Sequence, residues 1–373
     1  MTFLIVTHVA HTLDEGKYAA YGPYVREMNL WIQHTEKVIV IAPLNKHQQA
    51  GKIDLTYNHP NISFLRVPAF ELTSPIQILR SLCCIPYIFA VLVLGMIRAN
   101  HIHLRCPGNL ALLGCLVQLL FPWKKKTAKY AGNWDWNSTQ PWSYRLQQRI
   151  MRNTFLTHNS QTLVYGRWPD RNKNILPFFT ASYFDRDRIE TTPRTITPDK
   201  PIKFIFAGVL TPGKRPMEGL KLVHALIQQH IRLEIHFYGE GPLRENLTSY
   251  IQTHNLESVA YIHGNVNSDT LKMAYQSSHF LLLLSASEGW PKAIAEAMWW
   301  GCVPISTSVS CVPWMLHHEE RGLLVPHINH PPLEAIVSLL NNPAKYAAMA
   351  QSGMEWARGY TLENFNAEIQ KLI

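Results

Sequence analysis

Two glutamates with seven residues between them, Glu288 and Glu296, flank Gly289, Trp290, Pro291 and the start of an alanine-rich segment. Carboxylates accept hydrogen bonds in pairs, and vicinal sugar or ribose hydroxyls supply paired donors. Unpaired N–H groups at a helix start between the two acids carry partial positive charge, which suits a diphosphate. Gly289 lets a ligand come close to the main chain. The same residues also fit a plainer reading, a buried turn with two solvated acids, because structural carboxylates are frequent.

The surrounding residues show which elements would position these acids. Phe280 to Leu284 is an unbroken apolar run, as expected of a strand buried on both faces. Pro291 suits the first helical position, Ala293, Ala295, Ala297 and Met298 favour helix, and Gly301 suits the residue just past its end. The loop 285–290 then lies outside the carboxyl end of a strand, where open α/β sheets bind ligands. Three other loops follow predicted strands in the same way. Gly208 to Arg215 ends in Lys214-Arg215 before a helix, a composition that suits a diphosphate. Tyr238-Gly239-Glu240-Gly241-Pro242 and His263-Gly264-Asn265-Val266 could admit a base and ribose, and each alone also reads as a tight turn.

Together with Ala297-Met298 and Gly301-Cys302-Val303-Pro304-Ile305, the acid pair resembles the E-x7-E signature of the retaining glycosyltransferases of family 4, also called glycosyl transferases group 1. That family has the GT-B fold, an α/β arrangement of two Rossmann-like domains whose parallel sheets face across a cleft. The resemblance implies transfer of a sugar from a nucleotide diphosphate sugar, a UDP- or GDP-hexose, to an acceptor hydroxyl with retention at the anomeric carbon. It implies that Glu296 holds the ribose diol, and that Glu288, the catalytic position, holds the donor sugar and steadies charge on its ring. It places the rest of the donor site at Gly208, Lys214, Arg215, Gly241, Pro242, Val266, Gly289, Trp290 and Pro291. The family carries an Arg where this chain has Val209, so either Arg215 supplies the second charge on the phosphates from another direction or phosphate binding is weaker. Neither a cofactor nor a metal is expected, since Lys214, Arg215 and the helix start provide positive charge.

At 373 residues the chain exceeds what one core usually supports. Hydrophobic residues at 47% exclude a disordered chain, and the six cysteines show no metal-ligand spacing and read as reduced thiols. Residues 1–185 hold 19 Lys/Arg against 9 Asp/Glu, and the remainder holds 16 against 17. The first half is thus about +10, which suits an anionic surface or substrate. Strands at Phe3 to Val6 and Val38 to Ala42 around a helix at Tyr21 to His34 predict a parallel β-α-β start. The loop after the first strand brings His8 and His11 to the ligand-facing edge as acceptor contacts or packing, with no third metal ligand near. Arg105 ends another strand, and Asn133, Trp134 and Asp135 follow the strand Thr127 to Ala131. Many relatives have a histidine in that last loop, near the donor sugar; here Asn133, Trp134 and Asp135 are assigned to the acceptor.

The uncharged run Ser81 to Ile97 is at the short limit for a membrane span and contains Pro86, so a sheet-covering helix fits it better. Phe121-Pro122-Trp123 followed by Lys124, Lys125 and Lys126 suits either a solvated basic loop or an interfacial contact with anionic lipid. The expected layout is an acceptor domain at 1–185, a linker at 186–201, a donor domain at 202–358 and a terminal helix at 359–373 crossing back to the first domain. With no signal peptide in view, a cytoplasmic protein is expected, peripheral on the inner face of the membrane if the basic half binds lipid. The acceptor would be a saccharide or lipid-linked saccharide in cell-surface polysaccharide or glycolipid synthesis. Two alternatives share the donor pocket, a nucleotide-sugar epimerase and a non-catalytic nucleotide-sugar-binding protein. Nucleic-acid binding rests on charge alone, with no recognised motif.

Overall fold

In the computed structural model the described residues are 1–45, 50–51, 53–70, 75–170, 172–190, 192–197, 199–325, 328 and 332–373, with backbone alone for 75–81. The chain divides into two compact units, Met1–Phe179 with Phe365–Ile373, and Thr180–Asn364.

The first unit is built on a sheet whose central strands are wholly inside. β1 (Thr2–Val6) is followed by β2 (His11–Asp14), β3 (Lys17–Tyr21), α1 (Gly22–Ile32), β4 (Lys37–Asn45), β5 (Asp54–Thr56) and β6 (Ile62–Val67). Then come α2 (Pro75–Arg98), β7 (His101–Cys106), α3 (Asn109–Val117), β8 (Lys125–Tyr130), α4 (Trp142–Arg152), β9 (Ser160–Tyr165) and β10 (Ile175–Phe178). The strands lie in the order β10-β9-β8-β7-β1-β4-β2-β3-β5, with β6 also on β4. From β10 to β4 every pairing is parallel, as crossover helices require. The sequence expectation of a plain loop from His8 to Lys17 is corrected here. Residues 11–21 form an antiparallel hairpin, His11 opposite Ala20, turned by Glu15 and Gly16 at φ 46° and 78°. A two-residue turn with both φ values positive matches the strand twist, so Glu15-Gly16 was a usable signal. α2 runs straight through Pro86 and seats one face on the sheet. A Cβ on Gly95 would lie 2.7 Å from Ile41 Cδ1, so the helix rests close on β4. Among the described residues no helix is long and apolar enough to cross a membrane.

The second unit is a six-stranded parallel sheet. β11 (Ile202–Ala207), α5 (Pro216–Gln228), β12 (Leu233–Tyr238), α6 (Arg244–Thr253), β13 (Ala260–Gly264), α7 (Ser268–Ser277), β14 (Phe280–Leu283), α8 (Lys292–Trp299) and β15 (Val303–Thr307) alternate regularly. They lead to α9 (Val312–Met315), β16 (Leu323–Val325), α10 (Leu333–Leu340), α11 (Pro343–Ala357) and α12 (Leu362–Gln370), whose last residues belong to the first unit. The strand order β13-β12-β11-β14-β15-β16 reverses direction between β11 and β14. Connections leave β11 and β14 toward opposite sides there, which opens a crevice at their carboxyl ends. Residues 186–201, expected as a linker, group with this unit; Thr191 and Pro198 lie outside the described residues. Arg194 holds the segment in place. Its guanidinium donates to the carbonyls of Tyr275, Gln276, Trp300 and Gly301 at 2.6 to 2.8 Å, in the last turn of α7 and just past the end of α8. A cation there complements the negative ends of two helix dipoles.

Candidate active site at the β11–β14 crevice

β14 is fully buried because both of its faces are covered, and its apolar run continues through Leu284 to deliver residues 285–290 at the crevice. Opposite, the loop 208–215 leaves β11 and tightens through hydrogen bonds from the Lys214 and Arg215 N–H groups to the Thr211 carbonyl. The Ala286 N–H donates to the Gly213 carbonyl at 2.8 Å, joining the loops through their main chains. Across this junction Lys214 Nζ meets Glu288 Oε1 at 2.5 Å. The carboxylate is nearly enclosed, 7% exposed, and the ammonium is about a third exposed. The crevice thus carries a neutralised ion pair whose cation faces the solvent side, ready to turn to an anionic ligand.

The other donor residues divide into groups. Arg215 precedes α5 in a left-handed conformation, φ 52°, and is half-buried, while Val209 is exposed. Gly208, Gly241 and Pro242 lie in adjoining loops, joined by the Leu210 N–H to the Glu240 carbonyl and the Leu243 N–H to the Leu210 carbonyl. Gly239 permits this nesting, since a Cβ there would stand 1.9 Å from the Gly208 carbonyl oxygen. Val266 is half-buried just before the Asn267 cap of α7. Pro291 occupies the cap position of α8, so the helix starts at Lys292, one residue later than predicted. The Gly289 carbonyl accepts from Ser310 Oγ and Cys311 Sγ, both at 3.2 Å, so the loop after β15 fixes it. Trp290 turns inward. Its ring packs with Trp314, Trp356 and Tyr360, which makes it a core side chain and leaves only its backbone to a ligand.

Glu296 accepts from Ser182 Oγ at 2.6 Å on one oxygen and from the Tyr275 hydroxyl at 3.3 Å on the other. Two hydroxyls on one carboxylate is the pattern a diol would make. Tyr275 is fully buried, and burial and then the Glu296 charge hold its hydroxyl well above the usual phenol range. Ser182 is the half-exposed, replaceable partner. Sequence reasoning missed both residues, and neither has a local signal, for Ser182 lies 114 positions from its partner.

In the first unit the acceptor residues do not gather at one surface. His8 is exposed and lines a cavity of about 220 Å³ with Pro43, Phe70, Asn109 and Tyr144. Although an edge of the side chain reaches solvent, the partial desolvation of its ring in this cavity, then the Arg105 charge, lowers its pKa. His11 corrects the expectation of an acceptor contact. It is wholly buried between the Val9 carbonyl at 2.8 Å and the Tyr57 hydroxyl at 2.7 Å, and burial lowers its pKa to about 4. Arg105 is largely enclosed and pairs with Glu27 at 2.9 Å, which Lys129 also meets at 2.8 Å. Trp134 is core, edge-on to Tyr130 and beneath Arg152. Asn133 is buried and accepts from the Asp135 N–H, while half-exposed Asp135 accepts from the Asn137 N–H. Both side chains therefore shape their own loop. Among the described residues no three His, Cys, Asp or Glu side chains are grouped to hold a metal ion.

A parallel sheet reversing at β11–β14, with a carboxylate and an ammonium meeting over the reversal, defines a Rossmann-like unit with a ligand crevice. Residues 187–356 match the family model described as Glycosyl transferases group 1, so this segment is similar to that family, and the chain has the GT-B fold. The chain is 28% identical over 147 residues to WcaL of Escherichia coli (strain K12), a proposed colanic acid biosynthesis glycosyltransferase, the match covering 38% of this chain and 36% of that relative. It therefore spans only about a third of the length of that relative. Among solved structures, the sucrose-phosphate synthase of Thermosynechococcus elongatus is similar with TM-score 0.68 and 16% identity, over 100% of this chain and 98% of the other. HepE of Anabaena in complex with UDP is similar with TM-score 0.69 and 13% identity, over 100% and 99%.

Proposed function

We propose that this chain is a retaining hexosyltransferase that moves a sugar from a UDP-sugar to an acceptor hydroxyl. The observation that carries the reading is the Lys214–Glu288 pair at the carboxyl ends of β11 and β14, where an open sheet binds its ligand. The complexes of HepE with UDP and with UDP-glucose support a uridine donor over a guanosine one. Lys214 and Arg215 take the diphosphate, with the start of α8 adding the field of its unpaired N–H groups. That fixed positive charge stabilises the leaving diphosphate without calling for a metal. Glu296 exchanges its Ser182 contact for the ribose diol. Glu288, released from Lys214 as the diphosphate arrives, accepts from the donor sugar's hydroxyls and steadies positive charge on the ring. A donor phosphate oxygen takes the acceptor's proton, so the chain needs no general base of its own. The likeness to WcaL supports an acceptor in polysaccharide synthesis, presented to the first unit near His8.

Thermal shift against UDP, GDP, ADP and their sugars, with wild type and Glu296→Ala in parallel, tests the donor assignment. Stabilisation by uridine nucleotides that is lost in the variant is expected. A folded wild type indifferent to every nucleotide would overturn it.

A further inference from the structure

Among the described residues the outer face of α2 is largely uncovered, its Tyr87 hydroxyl donating to the Arg66 carbonyl at 3.1 Å. Ile88, Leu92 and Met96 recur every four residues and are fully buried on the sheet. On the opposite side Tyr87, Phe89, Leu94 and Ile97 are each 44 to 56% exposed, and no charged residue interrupts 81–97. A helix apolar all round is expected inside a protein or against lipid, and this one is covered on one side only.

Three hydrogen bonds tie further exposed apolar residues to the end of α2. Lys124 Nζ donates to the Ile97 and Ala99 carbonyls at 2.7 and 2.5 Å, which anchors the loop carrying Trp123, 68% exposed. Asn159 Nδ2 donates to the Pro122 carbonyl at 3.2 Å, bringing in the loop that carries Phe155, 88% exposed. Trp123 also borders a cavity of about 670 Å³ lined by Lys125, Lys126, His158, Lys173 and Lys371. This cavity sits at the amino ends of β8 to β10, the edge of the sheet opposite the carboxyl ends. Lys126 is buried with its Nζ donating to the Phe121 carbonyl at 2.7 Å, and burial lowers its pKa to about 8. Lys125 Nζ donates to the Ile373 main-chain oxygen at 2.6 Å and Lys371 pairs with Glu368, while among the described residues Lys126 and Lys173 have no Asp or Glu partner. Between Glu71 and Asp135 the sequence holds seven Lys or Arg and no acid.

We propose that this face docks on an anionic phospholipid bilayer, with the outer side of α2 in the interface, Trp123 and Phe155 inserted beside it, and the lysine cavity holding a lipid phosphate. Charge decides the occupant. A bilayer supplies both acyl chains and phosphates, whereas a second copy would set the same basic cluster against itself. α2 lies along the interface instead of spanning it because its inner face is committed to the sheet.

The test is flotation of the full chain with vesicles of phosphatidylcholine alone or with about a third phosphatidylglycerol. Wild type is expected to bind the anionic vesicles and release in high salt. Leu94→Ser with Trp123→Ser, and separately Lys173→Glu, should each lower the bound fraction about tenfold, with thermal melt and nucleotide response unchanged. Absence of binding at low salt would overturn the proposal, as would equal binding by all variants. Should sedimentation velocity show a wild-type dimer that the serine variant dissociates, the face belongs to a second copy and the proposal fails. Nucleotide response is read separately, so neither result bears on the donor assignment.

Discussion

Glu288→Gln is expected to tighten nucleotide binding while abolishing transfer, and Lys214→Ala to lose both. In the unliganded chain the Lys214 ammonium is already neutralised by Glu288 at 2.5 Å, so a diphosphate must compete with that carboxylate. At an effective dielectric of about 20 the direct attraction at this distance is roughly 7 kcal/mol. The Lys214 side chain is 32% exposed, and solvent screening reduces the usable part to about 1–2 kcal/mol. Removing the carboxylate charge should therefore lower the Kd for UDP about tenfold. Isothermal titration with wild type, both single variants and the double variant measures this directly. Lys214→Ala should raise Kd by about tenfold or more, since it removes the cation and leaves an enclosed carboxylate facing the phosphates, and the double variant should lie between the two. If Glu288→Gln weakens UDP binding as much as Lys214→Ala does, the reasoning is refuted, and the pair is a structural bridge and not an exchangeable one.

Acid should unfold the first unit before the second. His11 and His279 have pKa values lowered to about 4, and His101 to about 3, by burial, so each favours folding above the unfolded value of 6.5 and loses that contribution as pH falls from 6.5 toward 4. At pH 5 each costs about 2 kcal/mol, two in the first unit and one in the second, and a urea midpoint that stays flat between pH 8 and 5 would contradict this. Arg194→Ala strips four carbonyls of their donor and should cost about 3 kcal/mol in chemical denaturation, with Arg194→Lys restoring part of it. Gly239→Ala places a methyl 1.9 Å from the Gly208 oxygen at φ 139° and should cost more than about 3 kcal/mol. Gly213→Ala, with open space around it, should leave the melt within about 0.5 kcal/mol of wild type, and equal losses in the two would remove the argument from nesting loops.

Much of the second unit could be read directly from the chain. Its strands are buried on both faces and so appear as short apolar runs, and the loops that follow them carry glycine and charge within a few residues. The first unit was harder to read. The hairpin at residues 11–21 was hidden in a stretch that looked like loop, although Glu15-Gly16 marks its turn. His11 and Trp134 have the side chains of ligand contacts, and the fold spends both on packing. Residue type tells what a side chain can do and not which way it faces.

The sequence by itself determined the alternation of strands and helices and the two glutamates with seven residues between them, because helix and strand periods and turn chemistry act over a few neighbouring residues. Tertiary structure alone decided the reversal of strand order at β11 and β14, and with it the meeting of Lys214 and Glu288 across 74 positions. It also decided the Ser182 and Tyr275 hydroxyls on Glu296 and the four carbonyls gathered on Arg194. Each of these contacts joins groups far apart in the chain. Their free energy arises only once the sheet has brought the partners together and removed water from between them.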